Sequence, residues 1–250
     1  MSLVQRALNK AKTNSEVPKS KPKQAQVQEQ SKAQNNIDTQ TEYALFKAAM
    51  TSDLAQLKTF SDISDKADYK AKAIEKNDYL GFLTQYRLRG DNYPNMVLAW
   101  VFVWLVDLKR WNQAIELLPL LIEQKQPLPT VFSTKHWPTF LIDQLYDDAN
   151  YYLQNSCTKN DLANMAFTLQ QVIHATRHQN WEGSEIAGGK LYAIATKLEA
   201  TQHNYGNAVR FGKIAQQINE KAGVKTLIEK IEKKYLCNSS NASGQLSVTS

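Results

Sequence analysis

The chain of 250 residues and 28.4 kDa has room for one large domain or two small ones. Hydrophobic residues make up 42% and charged ones 22%, enough to build a core, while nine Gly and seven Pro exclude a collagen-like or linker-dominated protein. A net charge of +6 with a pI near 9.1 leans mildly toward nucleic acid, and the two cysteines, Cys157 and Cys237, are too few for a disulfide framework and point to a reducing compartment. The longest apolar run, Met96 to Val106, is too short to span a bilayer. Met1-Ser-Leu-Val-Gln-Arg6 lacks the apolar block of a secretory signal. The expectation is a soluble intracellular protein with no membrane partner.

Residues 1–40 stand apart. No aromatic precedes Tyr43, and Gln, Asn, Ser and Lys dominate from Lys19 to Gln40, leaving too little apolar surface to offset the entropy of ordering. Up to position 24, Arg6, Lys10, Lys12, Lys19, Lys21 and Lys23 face only Glu16, so a disordered basic N-terminal arm is expected. Leu3, Val4, Ala7, Leu8 and Ala11 recur at helical spacing, so the first residues can form a short amphipathic helix on contact with a partner; a solvated tail is the plainer reading.

From Thr41 onward the pattern is all-α, a body over 41–236. Tyr43, Phe46, Met50, Leu54 and Leu57 keep a helical period, and Ser61-Asp62 and Ser64-Asp65 are N-cap signals for a charged helix over Lys66 to Lys76. Leu80, Leu83 and Tyr86 carry a stripe that Gly90-Asp91-Asn92 stops, closing a first group of helices over 41–92. Pro94 opens a strongly apolar helix through Lys109, with Trp100 and Trp104 on one face. Trp111 to Leu118 is helical, and Pro119 should kink or end it. Pro127 and Pro129 mark a loop; further helices are expected over 139–155, 160–178 and 184–200. Trp111 and Tyr205 each precede an alanine, Ala114 and Ala208, by three residues. That spacing resembles the second helix of a tetratricopeptide unit, and 93–220 reads as helix hairpins, though two echoes do not make a solenoid. Val224, Leu227, Ile228, Ile231 and Tyr235 form a last amphipathic helix over 223–236, before a loose Ser/Asn-rich tail over 237–250.

Chemistry is sparse. Gly183 to Leu191 comes nearest to a phosphate loop, but Ser184 stands where the first glycine is needed, and Leu191 cannot meet magnesium after Lys190. His174 and His178 are four apart on an expected helix, without the glutamate of a zincin or an evident third ligand, and read as a surface pair. A nuclease would need clustered carboxylates to hold magnesium. Asp143 and Asp147, with Asp148, share a helical face, and Asp62, Asp65 and Asp68 precede Lys70; both groups read more simply as caps and solvated faces, with Asp143 and Asp147 the weak catalytic candidates. Trp100, Trp104 and Trp111 have the rings to stack bases, but among Val and Leu they read as core and oligomer contacts.

Three stretches then carry a resemblance: Tyr79-Leu-Gly-Phe-Leu-Thr-Gln-Tyr86, Val97 to Asp107 with Ala114-Ile-Glu116, and Gly206-Asn-Ala-Val209 followed by Ala222 to Glu232. Together with Ser2-Leu-Val-Gln-Arg6, their order and spacing resemble the small terminase subunits of Peduovirus-type tailed phages, the gpM-like proteins. The likeness covers roughly 40–236 and is weakest over 126–200. It implies a protein of the host cytoplasm that recognises the cohesive-end site of double-stranded phage DNA as a ring-shaped homo-oligomer. It also implies a partner, the terminase large subunit with its packaging ATPase. Members are often labelled the endonuclease subunit.

On the residues, the basic arm suits sequence-independent phosphate contact through Arg6, Lys10, Lys12, Lys19, Lys21 and Lys23. The stripe Val224, Leu227, Ile228 and Ile231 is a candidate docking face for the large subunit, with packing back onto its own domain as the alternative. No cofactor is expected, and magnesium only if the chain is itself a metal-dependent endonuclease. The other competing reading is a helical-repeat adaptor that binds protein alone.

Overall fold

The computed structural model describes residues 24–155 and 157–236, with side chains from Thr39 to Tyr235. Of the disordered basic arm expected over 1–40, residues 1–23 lie outside the described residues, as does the tail expected over 237–250, whereas 24–40 are helical in backbone and not the irregular chain expected. Among those described, all regular structure is helical: α1 (Gln24–Leu57), α2 (Ile63–Lys76), α3 (Tyr79–Leu88), α4 (Met96–Asp107), α5 (Trp111–Glu123), α6 (Trp137–Gln154), α7 (Lys159–Ala175), α8 (Glu185–Thr201), α9 (Tyr205–Ile218) and α10 (Lys225–Ile231), with a π-helical turn over Glu232–Leu236. The backbone of α1 is already helical at Gln24, and from Thr39 onward, where side chains are described, its buried hydrophobic residues begin with Phe46 and Met50.

Local sequence explains the helix starts. Asp62 accepts from Ser64 N at 2.6 Å and opens α2, three residues earlier than the pattern predicts. Asn95 accepts from Leu98 N at 3.0 Å and opens α4. Thr158 and Asp161 form a reciprocal capping box at α7. Pro119 does not end its helix: α5 continues to Glu123, because Leu117, Leu118 and Leu121 are buried and hold the turn that the missing N–H weakens.

The chain divides into two compact units. The first comprises residues to Arg110 and Leu120–Pro129. Its core takes Phe46 and Met50 from α1, Ile74 from α2, Phe82, Leu83 and Tyr86 from α3, and most of α4. Phe46 stacks on Phe82 at 4.3 Å between centroids, and Tyr79 meets Trp104 edge-on at 6.2 Å. Every residue of α4 from Val97 to Val106 except Trp100 is buried, which is why the helix is apolar on all sides.

Several polar groups inside this unit are paired, whereas Tyr93 Oη and Asn95 Nδ2 are buried without a hydrogen-bond partner. Asp53 accepts from Tyr79 Oη at 2.7 Å, Tyr69 Oη at 2.8 Å and Asn77 Nδ2 at 2.9 Å. Burial beside that carboxylate pushes the Tyr69 phenol up to about 12 and raises Tyr79 further. The loop before α4 is stitched by Gln126, whose Nε2 donates to Tyr93 O at 2.8 Å and whose Oε1 accepts from Asn95 N at 2.8 Å. Tyr43 Oη adds a bond to Pro94 O at 3.1 Å. These bonds place residues 120–129 in the first unit.

The second unit comprises Trp111–Pro119 and everything from Thr130 onward. Its most extensive helix pair is α8 with α9. Glycines let its elements approach closely. A Cβ on Gly188 would lie 2.6 Å from Trp181 Cδ2, and one on Gly212 would lie 2.5 Å from Ile228 Cδ1. Gly188 and Gly189, the nearest thing to a phosphate loop, are thus buried packing residues inside α8.

The two aromatic–alanine echoes mark the same local turn. Before Trp111, Arg110 N donates to Leu105 O at 2.8 Å and Lys109 is left-handed at φ 55°. Before Tyr205, Asn204 N donates to Glu199 O at 2.9 Å and His203 is left-handed at φ 64°. Both alanines, Ala114 and Ala208, are fully buried.

Candidate functional site

The cationic candidates Arg6, Lys10, Lys12, Lys19, Lys21 and Lys23 lie outside the described residues. The remaining candidates fall in both units.

Asp143 and Asp147 sit a turn apart on α6. Asp143 Oδ1 accepts from Lys190 Nζ at 2.7 Å, a half-exposed pair, while Asp147 faces solvent. Asp148, the third acid of this run, is buried and accepts from the Trp111 indole Nε1 at 3.1 Å. It anchors a half-buried ring, whereas Asp143 is half-exposed and Asp147 exposed. Among the described residues no three His, Cys, Asp or Glu side chains stand close enough to hold a metal ion. His174 ends α7 and His178 lies past the helix terminus at Ala175, so the two do not share the helical face that a clamp would require.

The ion pair lies at an open cleft of about 570 Å³ in the second unit, between the start of α6 and the start of α8. Lys135, His136 and Thr139 line one side, and Ser184, Glu185 and Lys190 the other. The groups there are largely committed to one another. His136 Nδ1 is 2.9 Å from Thr139 Oγ1, and Glu185 Oε1 accepts from Gly183 N at 2.9 Å, which holds its carboxyl below the usual range. Lys190 sits 5.5 Å from the Tyr146 ring centroid as well as on Asp143.

The tryptophans have structural settings. Trp104 is 1% exposed, Trp100 is half-buried, and Trp111 is held by Asp148. The stripe considered for docking is packed onto the chain itself: Val224, Ile228 and Ile231 are buried and Leu227 is half-buried. Gly212 is the reason, since its missing side chain leaves the space that Ile228 fills. Sequence reasoning missed the Asp148 anchor, because an acid beside two surface acids looks like one of them. It also missed the Asp53 node, whose partners are sixteen to twenty-six residues distant.

Among the described residues no helix is long and apolar enough to cross a membrane. Residues 47–182, just over half of the chain, match the family model described as phage small terminase subunit. A protein of Haemophilus phage HP1 (strain HP1c1), named as a probable terminase, endonuclease subunit, is 27% identical over 219 residues, covering 82% of this chain and 75% of that protein. No solved structure matches the chain. A family match that runs from the middle of α1 to beyond the end of α7, on an all-helical chain, gives the conclusion that the protein belongs to the phage small terminase subunit family.

Proposed function

We propose that the chain is the recognition subunit of a phage packaging machine. It binds the cohesive-end site of concatemeric double-stranded phage DNA and presents that site to the ATPase-bearing large subunit, which cuts and translocates it. The match over 47–182 to the small-subunit family carries this reading. The basic arm supports it, because Arg6, Lys10, Lys12, Lys19, Lys21 and Lys23 have only Glu16 to offset them up to position 24. In this reading the chain works as a ring-shaped homo-oligomer. The large subunit meets a surface other than Val224, Ile228 and Ile231, which are buried.

The test is a salt series of DNA binding with the full chain and a variant lacking residues 1–24. Deletion should weaken binding to every duplex and reduce the steepness of log K against log salt. Unchanged affinity and slope would remove the arm from the interface. Stimulation of large-subunit ATPase by the full chain completes the test.

A second reading follows from the name of the Haemophilus phage HP1 relative: a metal-dependent endonuclease acting by itself. Asp143 is committed to Lys190 and Asp148 to Trp111, so we read cleavage here as directed through the large subunit. Magnesium-dependent nicking by the isolated chain that disappears in an Asp143→Ala/Asp147→Ala variant would reverse that choice.

A further inference from the structure

The positive charge of the described chain is unevenly placed. Residues 205–235 hold seven Lys and Arg against three Glu, whereas the rest of the second unit's described residues hold five against eight. The excess therefore sits at one end of that unit, on α9, α10 and the π-helical turn. These residues lie beyond the family match, which stops at 182.

The element that carries the excess is built rather than loose. The inner face of α10 is fixed by the burial of Val224, Ile228 and Ile231. Glu232 is taken by Lys213 at 2.7 Å, so the one acid in the turn is neutralised from α9. Tyr235 stacks on Tyr205, with centroids 4.0 Å apart and planes within 14°. That stack ties the last described turn back to the start of α9. Lys234 Nζ lies 5.0 Å from the Tyr235 ring centroid.

What remains outward is a run of lysines. Lys225, Lys230, Lys233 and Lys234 are all exposed, with Glu229 the one acid among them on that face. Lys225, Lys230 and Lys233 have no carboxylate within salt-bridge reach among the described residues, whereas Lys70, Lys190 and Lys213 each do. On a short helix and its continuation, 225, 229, 230 and 233 fall on one side, opposite the buried positions 224, 228 and 231. An exposed, preorganised row of cations, with a ring pair at its end, is complementary to a polyanion of regular charge spacing.

We propose that the outer face of α10 and its π-helical turn is a second DNA-backbone surface, on which Lys225, Lys230 and Lys233 neutralise phosphates of double-stranded DNA. This rests on the DNA-binding reading above and adds to it. The arm meets the duplex from a tethered segment, whereas this face meets it from a fixed one. A fixed face sets the orientation of the body on the duplex, which an arm alone does not.

The experiment uses the full chain and a Lys225→Gln/Lys230→Gln/Lys233→Gln variant, with fluorescence anisotropy on a labelled duplex across a salt series. The replaced side chains are exposed, so an unchanged thermal midpoint shows that the variant is folded. The expected result is a fall of about 2–3 in the slope of log K against log salt, close to one unit for each phosphate that is no longer neutralised. A Tyr235→Ala variant, which keeps all three lysines, should bind more weakly with little change of slope. If the full chain binds DNA and the triple variant keeps its slope, the surface is refuted while the DNA reading stands. The same holds if the triple variant keeps its slope and no longer stimulates the large subunit, which would make the face a protein-docking surface. If the full chain binds no duplex even at low salt, the DNA reading itself fails and this surface with it.

Discussion

A buried carboxylate destabilises a fold unless hydrogen bonds replace its water, and Asp53 is supplied with three donors at 2.7–2.9 Å. Asp53→Ala would leave the buried Tyr79 hydroxyl without its acceptor and Asn77 Nδ2 with only Tyr79 Oη at 3.3 Å, at a cost of about 3 kcal/mol, readable as a lower urea midpoint. Tyr79→Phe is the milder change, about 1 kcal/mol, because Asp53 keeps two donors. The same cluster fixes a pH dependence. In the unfolded chain the phenols lose their protons near pH 10, roughly the reference value for Tyr. In the folded chain Tyr69 is pushed up to about 12 by burial and by Asp53, and Tyr79 is raised further. Above about pH 10 the unfolded state therefore holds fewer protons than the folded one, and stability falls as pH rises. The thermal midpoint should be flat just above neutrality and drop in alkali, with tyrosinate absorbance appearing together with unfolding. Tyr79→Phe should blunt that drop.

At the scale of elements, glycine decides where the C-terminal helix goes. Gly212 faces Ile228, and a Cβ there would lie 2.5 Å from Cδ1 and 2.6 Å from Cγ1. The alanine gain in helix propensity is at most about 1 kcal/mol, while overpacking a filled site costs roughly 1–3 kcal/mol, so the steric term wins. Gly212→Ala should destabilise by about 1 kcal/mol, and Gly212→Val by more. Amide hydrogen exchange should locate the loosening in α10 before the rest of the unit. Protection over 225–236 equal to that of the unmodified chain would mean that the helix is held elsewhere. Pro119 shows the opposite balance: a helix-breaking residue is carried within α5 because its neighbours are buried. One of the three points at which the chain passes from one unit to the other falls directly after it, between Pro119 and Leu120.

For the whole molecule, assembly is the quantity to measure. Trp104 is 1% exposed within a single chain, so Trp104→Ala should unfold or weaken the protomer by about 3–5 kcal/mol whatever its oligomeric state. Trp100 is half-buried and offers the cleaner test of the ring. Trp100→Lys should lower the solution mass while leaving helix content unchanged, if that face meets a neighbouring copy. A folded monomer at micromolar concentration for the unmodified chain would refute the ring. The net charge of +6 is likewise a whole-chain property with a local cause: residues 1–38 hold seven Lys and Arg against three acids, as 205–235 do, and the remainder is slightly acidic.

The sequence by itself determined the helices, because their signals are local: a cap at Asp62, loops at Pro127 and Pro129, and apolar periods over three to four residues. The expected spans 139–155, 160–178 and 184–200 lie within a few residues of α6, α7 and α8. The aromatic–alanine spacing at Trp111 and Tyr205 was legible as a helix echo, while the shared left-handed turn that precedes both helices is a finding of the structure. The tertiary structure alone decided which face of a helix is spoken for. Asp148 reads like Asp143 and Asp147 until Trp111 is found against it, and the stripe from Val224 to Ile231 leaves docking and packing back onto its own domain both open until Gly212 admits Ile228. Partners distant in sequence leave no periodic trace, and burial is a property of the packed chain. The lysines of α10 were legible as residues; that they form the outward, fixed side of an inward-packed helix was decided only when that helix closed onto α9.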